Sequence, residues 1–245
     1  MNIPKEDIEA LRREKYGGAK DANMHDDLAR LMKGEPLAYV IGTQPFLGLT
    51  IFLDSTPLIP RPETEWWTEI LIATLRDRKN VSLLDLCAGS GAIGLSVLKH
   101  TNAHVWFGEL FGEHEATIRK SLRVNALDEA RADVRIGNLF EPFSGIRFDV
   151  IATNPPYIPS TRTLPDSVKM FEPHEALFAG EDGLSVIRTI LEHAPLHLNP
   201  RGELWMECDM SHISEAAEIA KRHGATRTEI RNDPYGRARL LIAYY

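Results

Sequence analysis

The feature that most constrains the fold is a regular alternation of short apolar runs and helical patterns from residue 81 onward. Strands that alternate with helices form mostly parallel sheets with helices on both faces. The last two runs are separated only by the tight turn DPYGR, which predicts an antiparallel hairpin. We therefore predict an α/β fold with a doubly wound, mostly parallel, seven-stranded sheet and a C-terminal antiparallel hairpin. The predicted strands are VSLLDL (81–86), HVWFGEL (104–110), ADVRIG (132–137), FDVIAT (148–153), ELWMEC (203–208), TEIRND (228–233) and ARLLIAYY (238–245).

The first 62 residues lack this alternation, and we interpret them as additions to the main domain. Residues 1–34 have the pattern of one or two short helices and are predicted to form a small N-terminal helical appendage. Residues 35–62 contain the extended runs LAYVIG, FLGLTIFLD and PLIP between prolines and glycines, which predict a β-hairpin connector. Residues 63–245 are predicted to form the main domain, which begins with a helix over 63–77 whose first turn is acidic.

The composition excludes several classes of protein. The 245 residues are 43% hydrophobic and 26% charged, which is typical of a globular chain and not of a disordered or fibrous one. A formal net charge of −7 does not favour nucleic acid as a partner. The two cysteines and nine histidines show no metal-ligand spacing, so no metal site is predicted. Without a long apolar run or a signal peptide, we expect a soluble, cytoplasmic protein that does not bind membranes.

A glycine-bearing turn, Cys87-Ala88-Gly89-Ser90-Gly91, follows the first strand of the alternation. Glycines there let a ligand approach the backbone, and the next helix offers unpaired N–H groups. The turn matches neither the dinucleotide fingerprint, which needs glycine at positions 87 and 92, nor a Walker loop. Glu109, at the end of the next strand, stands where an acid can accept both hydroxyls of a ribose. Together these features predict a site for an adenosine without a 2′-phosphate; the alternative is a plain turn and a solvated acid.

A second motif, Asn154-Pro155-Pro156-Tyr157, follows the fourth strand of the alternation. We expect it beside the glycine turn, because ligands bind at the carboxyl ends of strands in such sheets. Prolines remove backbone donors and hold the preceding residue extended, so the segment is rich in acceptors. Asn154 Oδ1 and the Pro155 carbonyl can hold a planar NH2 group and stabilise positive charge as its nitrogen attacks an electrophile. Tyr157 adds an aromatic face; the alternative is a simple Pro-Pro turn.

These residues resemble the S-adenosylmethionine-dependent methyltransferases that carry (D/N/S)PP(Y/F) after the fourth strand and act on planar nitrogens. A narrower resemblance, to the HemK/PrmC family, rests on GEPLAYVIG (34–42), LIPRPETE (58–65) and NPPYI (154–158). The resemblance implies a Rossmann-like class I methyltransferase with S-adenosyl-L-methionine as cofactor. It also implies direct methyl transfer to the glutamine amide of the Gly-Gly-Gln motif in peptide chain release factors, the reaction associated with translation termination.

The resemblance also implies roles for individual residues. It assigns the 87–91 turn to the methionine part of the cofactor, Glu109 to its ribose and residues 138–139 to its adenine. The predicted cofactor-binding residues are Cys87, Ala88, Gly89, Ser90, Gly91, Glu109, Leu110, Asn138, Leu139 and Asn154. The predicted catalytic residues, which also bind substrate, are Asn154, Pro155, Pro156 and Tyr157, and the further predicted substrate-binding residues are Arg61 and Glu63. The family usually has Gly and Thr where this chain has Cys87 and Ala88, and Asp where it has Glu109 and Asn138.

Two alternatives to this function stay open at the level of sequence. One is an N-methyltransferase with the same pocket that acts on a ribosomal-protein glutamine or on a nucleic-acid base amine. The other is a binding module in which Cys87, Ala88 and Asn138 have weakened cofactor binding. The expected partner is a release factor, nucleic acid is not expected, and the chain is expected to be a monomer. The loop over 154–182 is long for a compact fold, which predicts a substrate lid.

Overall fold

The computed structural model describes residues 3–245, and most of them surround a seven-stranded sheet with the order β5-β4-β3-β6-β7-β9-β8. Five neighbouring strands, β3 to β7, pair in parallel, and β9 is antiparallel to both β7 and β8. The predicted mostly parallel sheet and its C-terminal hairpin are confirmed. The strands are β1 (Thr43–Phe46), β2 (Leu49–Phe52), β3 (Ser82–Leu86), β4 (His104–Glu109), β5 (Ala132–Ile136), β6 (Phe148–Thr153), β7 (Leu198–Glu207), β8 (Arg227–Asn232) and β9 (Ala238–Tyr244).

Helices cover both faces of this sheet, and others lie before it in the chain. The helices are α1 (Lys5–Tyr16), α2 (His25–Met32), α3 (Leu37–Ile41), α4 (Pro62–Leu75), α5 (Ala92–His100), α6 (Glu113–Val124), α7 (Asp166–Phe171), α8 (Ser185–His193) and α9 (Ile213–Arg222). Helix α4 begins with Pro62, whose missing N–H is not needed in a first turn, and the acidic Glu63 and Glu65 follow there. None of the helices in the described part of the chain is long and apolar enough to cross a membrane.

The core is divided between the two faces of the sheet. Because successive strand residues point to opposite faces, Leu83 joins the core beneath α4 and α5, whereas Leu84 and Leu86 join the core beneath α8 and α9. Trp67 of α4 is fully buried in the first core. This anchoring fixes α4 against the sheet and positions its N-terminal turn near the carboxyl ends of the central strands.

The structure differs from the sequence-based expectation at three places. Residues 37–41 of LAYVIG form the short helix α3 and not an extended run, because Pro36 precedes it, Gly42 ends it at φ 92°, and Tyr39 and Val40 are buried. The seventh strand in the chain, β7, begins at Leu198, five residues before its predicted start. The long loop over 154–182 contains the helix α7.

Candidate active site

Three adjoining cavities lie at the carboxyl ends of β3, β4 and β6, where open α/β sheets hold ligands. Leu58, which precedes α4, and Asn154, which follows β6, line all three. The first cavity is lined by residues that follow β4 and β5, the second by the turn after β3, and the third by the segment after β6. The glycine-bearing turn and the Asn-Pro-Pro-Tyr motif therefore border the same space.

Nine of the ten residues predicted to bind the cofactor line the first or the second cavity. Those that line the first cavity are Cys87, Gly89, Glu109, Leu110, Asn138, Leu139 and Asn154. Ala88 and Ser90 line the second cavity. The tenth residue, Gly91, is the N-cap of α5.

The turn between β3 and α5 uses the left-handed backbone conformation at Cys87 (φ 60°), Gly89 (φ 54°) and Gly91 (φ 77°). Glycine adopts this conformation without steric strain, whereas cysteine does so at some cost. The Ala88 N–H donates to the Gly108 carbonyl at 3.0 Å, which ties the turn to β4. As a result, the backbone of the turn and the positive N-terminal end of α5 stand at the cavity wall.

Asp85 stabilises this turn through a hydrogen bond to the helix that follows it. Its carboxyl group is fully buried, and Oδ2 accepts the Gly94 N–H of α5 at 2.9 Å. Burial raises the pKa of Asp85, although the hydrogen bond from Gly94 opposes that shift. The side chain lines none of the three cavities, so its contribution is to hold the first turn of α5 against β3.

Glu109 ends β4 with its carboxylate directed at the first cavity. The residue is 5% exposed, Oε2 accepts the Gly89 N–H at 2.7 Å, and Oε1 accepts the Phe111 N–H at 3.0 Å. These two backbone donors hold the carboxylate in place. Each carboxylate oxygen has a further lone pair, so Glu109 can accept the two hydroxyls of a ribose from this position.

Residues 137–139 and Leu110 form part of the wall of the first cavity. The Gly137 N–H donates to the Glu109 carbonyl at 2.9 Å, which joins this segment to β4. A Cβ at Gly137 would lie 2.5 Å from Pro142 Cγ, so the close turn requires glycine. Leu110 is 51% exposed and Leu139 lies beside it in the cavity wall, which leaves apolar surface for a flat ring. The Asn138 amide adds both donors and an acceptor.

The segment from Asn154 to Tyr157 separates the first cavity from the third. Pro156 lines the first cavity, Pro155 and Tyr157 line the third, and Asn154 lines both. The Asn154 side chain donates from Nδ2 to Thr64 Oγ1 at 3.2 Å. The Tyr157 hydroxyl donates to Glu207 Oε1 at 3.0 Å, so the ring is fixed at the far end of the segment.

Comparison with known proteins agrees with this geometry. Residues 63–172 match the family model described as methyltransferase small domain. A release factor glutamine methyltransferase of Geobacter sulfurreducens is 36% identical over 217 residues, which cover 87% of this chain and 75% of that protein. The chain belongs to the release factor glutamine methyltransferase family. The protein of the same name from Thermodesulfovibrio yellowstonii is 33% identical over 88% of this chain and 78% of its own length. The resemblance to the HemK/PrmC family is thereby confirmed.

Solved structures confirm the fold of this family member independently. A crystal structure of a methyltransferase from Pyrococcus furiosus superposes with a TM-score of 0.62 at 20% identity, covering 89% of this chain and 98% of that one. A putative methyltransferase, SMU.776, solved with S-adenosylhomocysteine, also gives a TM-score of 0.62, at 12% identity, over 83% of this chain and 55% of that one. The class I methyltransferase fold and the dependence of the family on S-adenosylmethionine are confirmed.

A buried hydrogen-bond network behind the motif was not predicted from the sequence of this family member. Glu207, at the end of β7, is 1% exposed, and its Oε2 accepts the Thr64 hydroxyl at 2.7 Å and the Trp67 indole N–H at 2.8 Å. Burial raises the pKa of Glu207, and the hydrogen bonds from Trp67, Thr64 and Tyr157 oppose that shift. The one available signal was an acidic residue directly after the short apolar run Leu204-Trp205-Met206.

Arg61 and Glu63, both predicted to bind substrate, are placed differently. Arg61 lines the third cavity and pairs with Glu172 Oε1 at 2.5 Å. Glu63 lines none of the three cavities, and its carboxylate accepts from Arg237 Nη2 at 2.7 Å. The difference follows from helix geometry, because Arg61 precedes α4 in extended conformation whereas Glu63 lies within its first turn.

The segment over 154–182 folds back over the third cavity. Ile158 forms a parallel bridge with Phe178, and its N–H donates to the Leu177 carbonyl at 2.9 Å. Glu172, at the end of α7, is 4% exposed and also accepts the Ile59 N–H at 3.3 Å. This part of the chain therefore covers the third cavity and is attached to the residues before α4. Its movement as a lid stays a prediction.

Proposed function

We propose that the chain methylates the side-chain amide nitrogen of the glutamine in the Gly-Gly-Gln motif of a peptide chain release factor. The product is N5-methylglutamine. Membership of the release factor glutamine methyltransferase family supports this substrate. The observation that carries the proposal is the place of Asn154, which lines both the cavity beside Glu109 and the cavity beneath residues 164–177.

The residues around the first cavity fit S-adenosylmethionine. Glu109 holds a buried carboxylate toward the space where a ribose would lie, and the turn after β3 offers backbone in close approach. Residues 138–139 and Leu110 would enclose the adenine. When bound, S-adenosylmethionine supplies a methyl group on a positively charged sulfur, which is open to direct displacement by a nitrogen. The residues that would hold its methionine part are those of the 87–91 turn.

On the substrate side, Asn154 and Pro155 present acceptors to the amide. An amide nitrogen is a weak nucleophile because its lone pair is delocalised toward the carbonyl. Asn154 Oδ1 and the Pro155 carbonyl would accept its two hydrogens, fix its position and stabilise the positive charge that develops during attack. Once methylated, the nitrogen is acidic enough to lose a proton to water without a dedicated base. Tyr157 would close the pocket with its ring.

The test is peptide mass spectrometry of a purified release factor after incubation with the protein and S-adenosylmethionine. The expected result is a mass increase of one CH2 on the Gly-Gly-Gln glutamine. Parallel incubations with ribosomal protein and with DNA distinguish the alternative substrates. Methylation of either of these in place of the release factor would contradict the proposal, and calorimetry showing no binding of S-adenosylhomocysteine would favour the binding-module alternative.

We further propose that residues 1–34 form a helical appendage, residues 35–62 a connector and residues 63–245 the methyltransferase domain. An apolar cluster centred on Leu11, Met24 and Val40 joins the N-terminal helices to α3 of the connector, and it is separate from the two cores of the sheet, which supports a unit distinct from the methyltransferase domain. We propose that the chain acts on the release factor as a monomer. Light scattering of the protein at the concentration used for the methylation assay tests this, and a dimer mass would contradict it.

A further inference from the structure

The side-chain amide of Asn154 is useful to the proposed reaction in only one of its two orientations. Its oxygen can accept a hydrogen from the substrate amide, whereas its NH2 group would oppose the substrate NH2 group. The two ends of an asparagine amide have nearly the same shape, so packing alone does not select one. The hydrogen-bond partners of the amide must therefore do so.

We infer that Thr64, held by Glu207, is a positioning residue that turns the oxygen of the Asn154 amide toward the third cavity, where the substrate amide would bind. This inference rests on the proposed function, since it concerns how the same site holds its substrate. It depends on the order of donors and acceptors in the buried network behind the Asn154–Tyr157 segment.

Trp67 sets the direction of that network. An indole N–H can only donate, so Glu207 Oε2 must accept from it, at 2.8 Å. With the Glu207 carboxylate ionised, the Thr64 hydroxyl must also donate to Oε2, at 2.7 Å. A hydroxyl carries one hydrogen, so the Thr64 oxygen can then only accept from Asn154. The amide must present Nδ2 to Thr64, as it does at 3.2 Å, and its oxygen points the other way.

Because these side chains are buried, each must keep the donor or acceptor role given above. Thr64 is 4% exposed, Glu207 is 1% exposed and Trp67 is fully buried, so little water can replace a lost partner. Glu207 Oε1 also accepts the Tyr157 hydroxyl at 3.0 Å. One carboxylate therefore fixes both ends of the Asn154–Tyr157 segment, indirectly through Thr64 and directly through Tyr157.

The substitution Glu207→Gln tests this order of donors and acceptors. The oxygen of the new side-chain amide must face Trp67, because an NH2 group there would oppose the indole N–H, and the NH2 group of the same amide can donate to the Tyr157 oxygen. Thr64 would still have to donate, so the orientation of Asn154 is preserved. Glu207→Gln is therefore expected to keep methyl transfer within about tenfold of the unaltered chain, although it removes a buried charge.

Thr64→Val has the opposite expectation. Valine keeps the shape of threonine but offers no acceptor, so the Asn154 amide is free to turn. We expect kcat for methyl transfer to fall on the order of 10²-fold, and Thr64→Ser to restore most of it. The matched control is Thr68→Val, one helical turn further along α4. Thr68 is also fully buried, and its hydroxyl donates to the Thr64 carbonyl at 2.7 Å without contacting Asn154.

A second measurement reports on the amide without methyl transfer. In protein labelled with ¹⁵N-asparagine, the Asn154 amide signal is identified by its loss in Asn154→Asp. One of its Nδ2 hydrogens should exchange slowly with solvent because it donates to a buried hydroxyl. We expect fast exchange in Thr64→Val and slow exchange in Glu207→Gln and Thr68→Val.

The two measurements separate the inference from the proposed function. If the unaltered chain methylates no release factor but its Asn154 amide loses protection only in Thr64→Val, the proposed function fails and the positioning role stands. If Thr64→Val and Thr68→Val lower kcat equally, or if the amide exchange does not change in Thr64→Val, the inference is overturned. Should Thr64→Val fail to fold, loss of protection in Glu207→Gln would overturn it.

Discussion

The role of Glu109 can be tested through the affinity for the cofactor. Its carboxylate is 5% exposed and is already fixed by the Gly89 and Phe111 N–H groups, so it is in place before any ligand arrives. A hydrogen bond to a charged group contributes about 1.5–3 kcal/mol. In Glu109→Ala, the loss of ribose binding should raise the dissociation constant of S-adenosylhomocysteine about 10- to 100-fold.

Calorimetric titration of S-adenosylhomocysteine measures this change, and a 2′-deoxy analogue of the same compound localises it. The analogue should bind more weakly than the parent to the unaltered chain, because one hydroxyl is missing. In Glu109→Ala the two compounds should bind alike, since the carboxylate that would distinguish them is gone. This double-mutant cycle separates the interaction between the Glu109 carboxylate and the ribose hydroxyl from general effects of the substitution on the fold.

A matched control removes a different acid nearby. Glu113 is exposed in the first turn of α6 and lines none of the three cavities. Glu113→Ala changes the net charge by the same amount, so it should leave both dissociation constants almost unchanged. If Glu109→Ala also leaves them unchanged, or if the parent and the deoxy compound still differ in that variant, the ribose role of Glu109 is wrong.

Three further predictions concern the rest of the site. Asn154→Ala should lower kcat on the order of 10²–10³-fold with little change in S-adenosylhomocysteine affinity; equal activity would exclude the residue from the mechanism. Burial raises the pKa of the Cys87 thiol to about 12, so iodoacetamide should label it slowly at neutral pH and faster as the pH approaches that value; fast labelling would contradict this. Burial alone would raise the pKa of Asp209, but hydrogen bonds from Arg162 and Ser211 outweigh it and keep the pKa below the usual range. That carboxylate therefore stabilises the fold above the unfolded pKa of about 4 and stops doing so in acid, and urea unfolding should show Asp209→Asn destabilised at neutral pH with a smaller difference at low pH.

The sequence was sufficient to predict the sheet and the meeting of the two motifs. The alternation of short apolar runs with helical patterns predicted the strands. In β3, Leu83 and Leu84 face opposite cores. The carboxyl ends of parallel strands share one edge, and β3 and β6 are paired neighbours in the sheet. The residues that follow these two strands therefore had to meet, although the motifs lie more than 60 residues apart.

The partners behind the motif could not be predicted in this way. Thr64 and Glu207 are 143 positions apart, and their contact depends on how α4 crosses the sheet. An acidic residue after a short apolar run is only a weak local signal for Glu207, and nothing local marks Thr64 as its donor. Arg61 lines the third cavity and Glu63 does not, and this difference depends on the exact residue at which α4 begins. Helix ends are the least certain feature of a sequence pattern.

The departures from the family pattern at Cys87 and Ala88 leave the path of the turn intact. An L-residue in the left-handed conformation costs about 1–2 kcal/mol relative to glycine, yet Cys87 adopts φ 60°. Ala88 N–H donates to the Gly108 carbonyl at 3.0 Å, and Gly91 N–H to the Ala88 carbonyl at 2.7 Å. These are main-chain bonds, so they hold the turn whichever side chains it carries. The two substitutions would therefore change the side chains that face the cofactor, while the backbone groups and the Glu109 carboxylate proposed to position it stay in place.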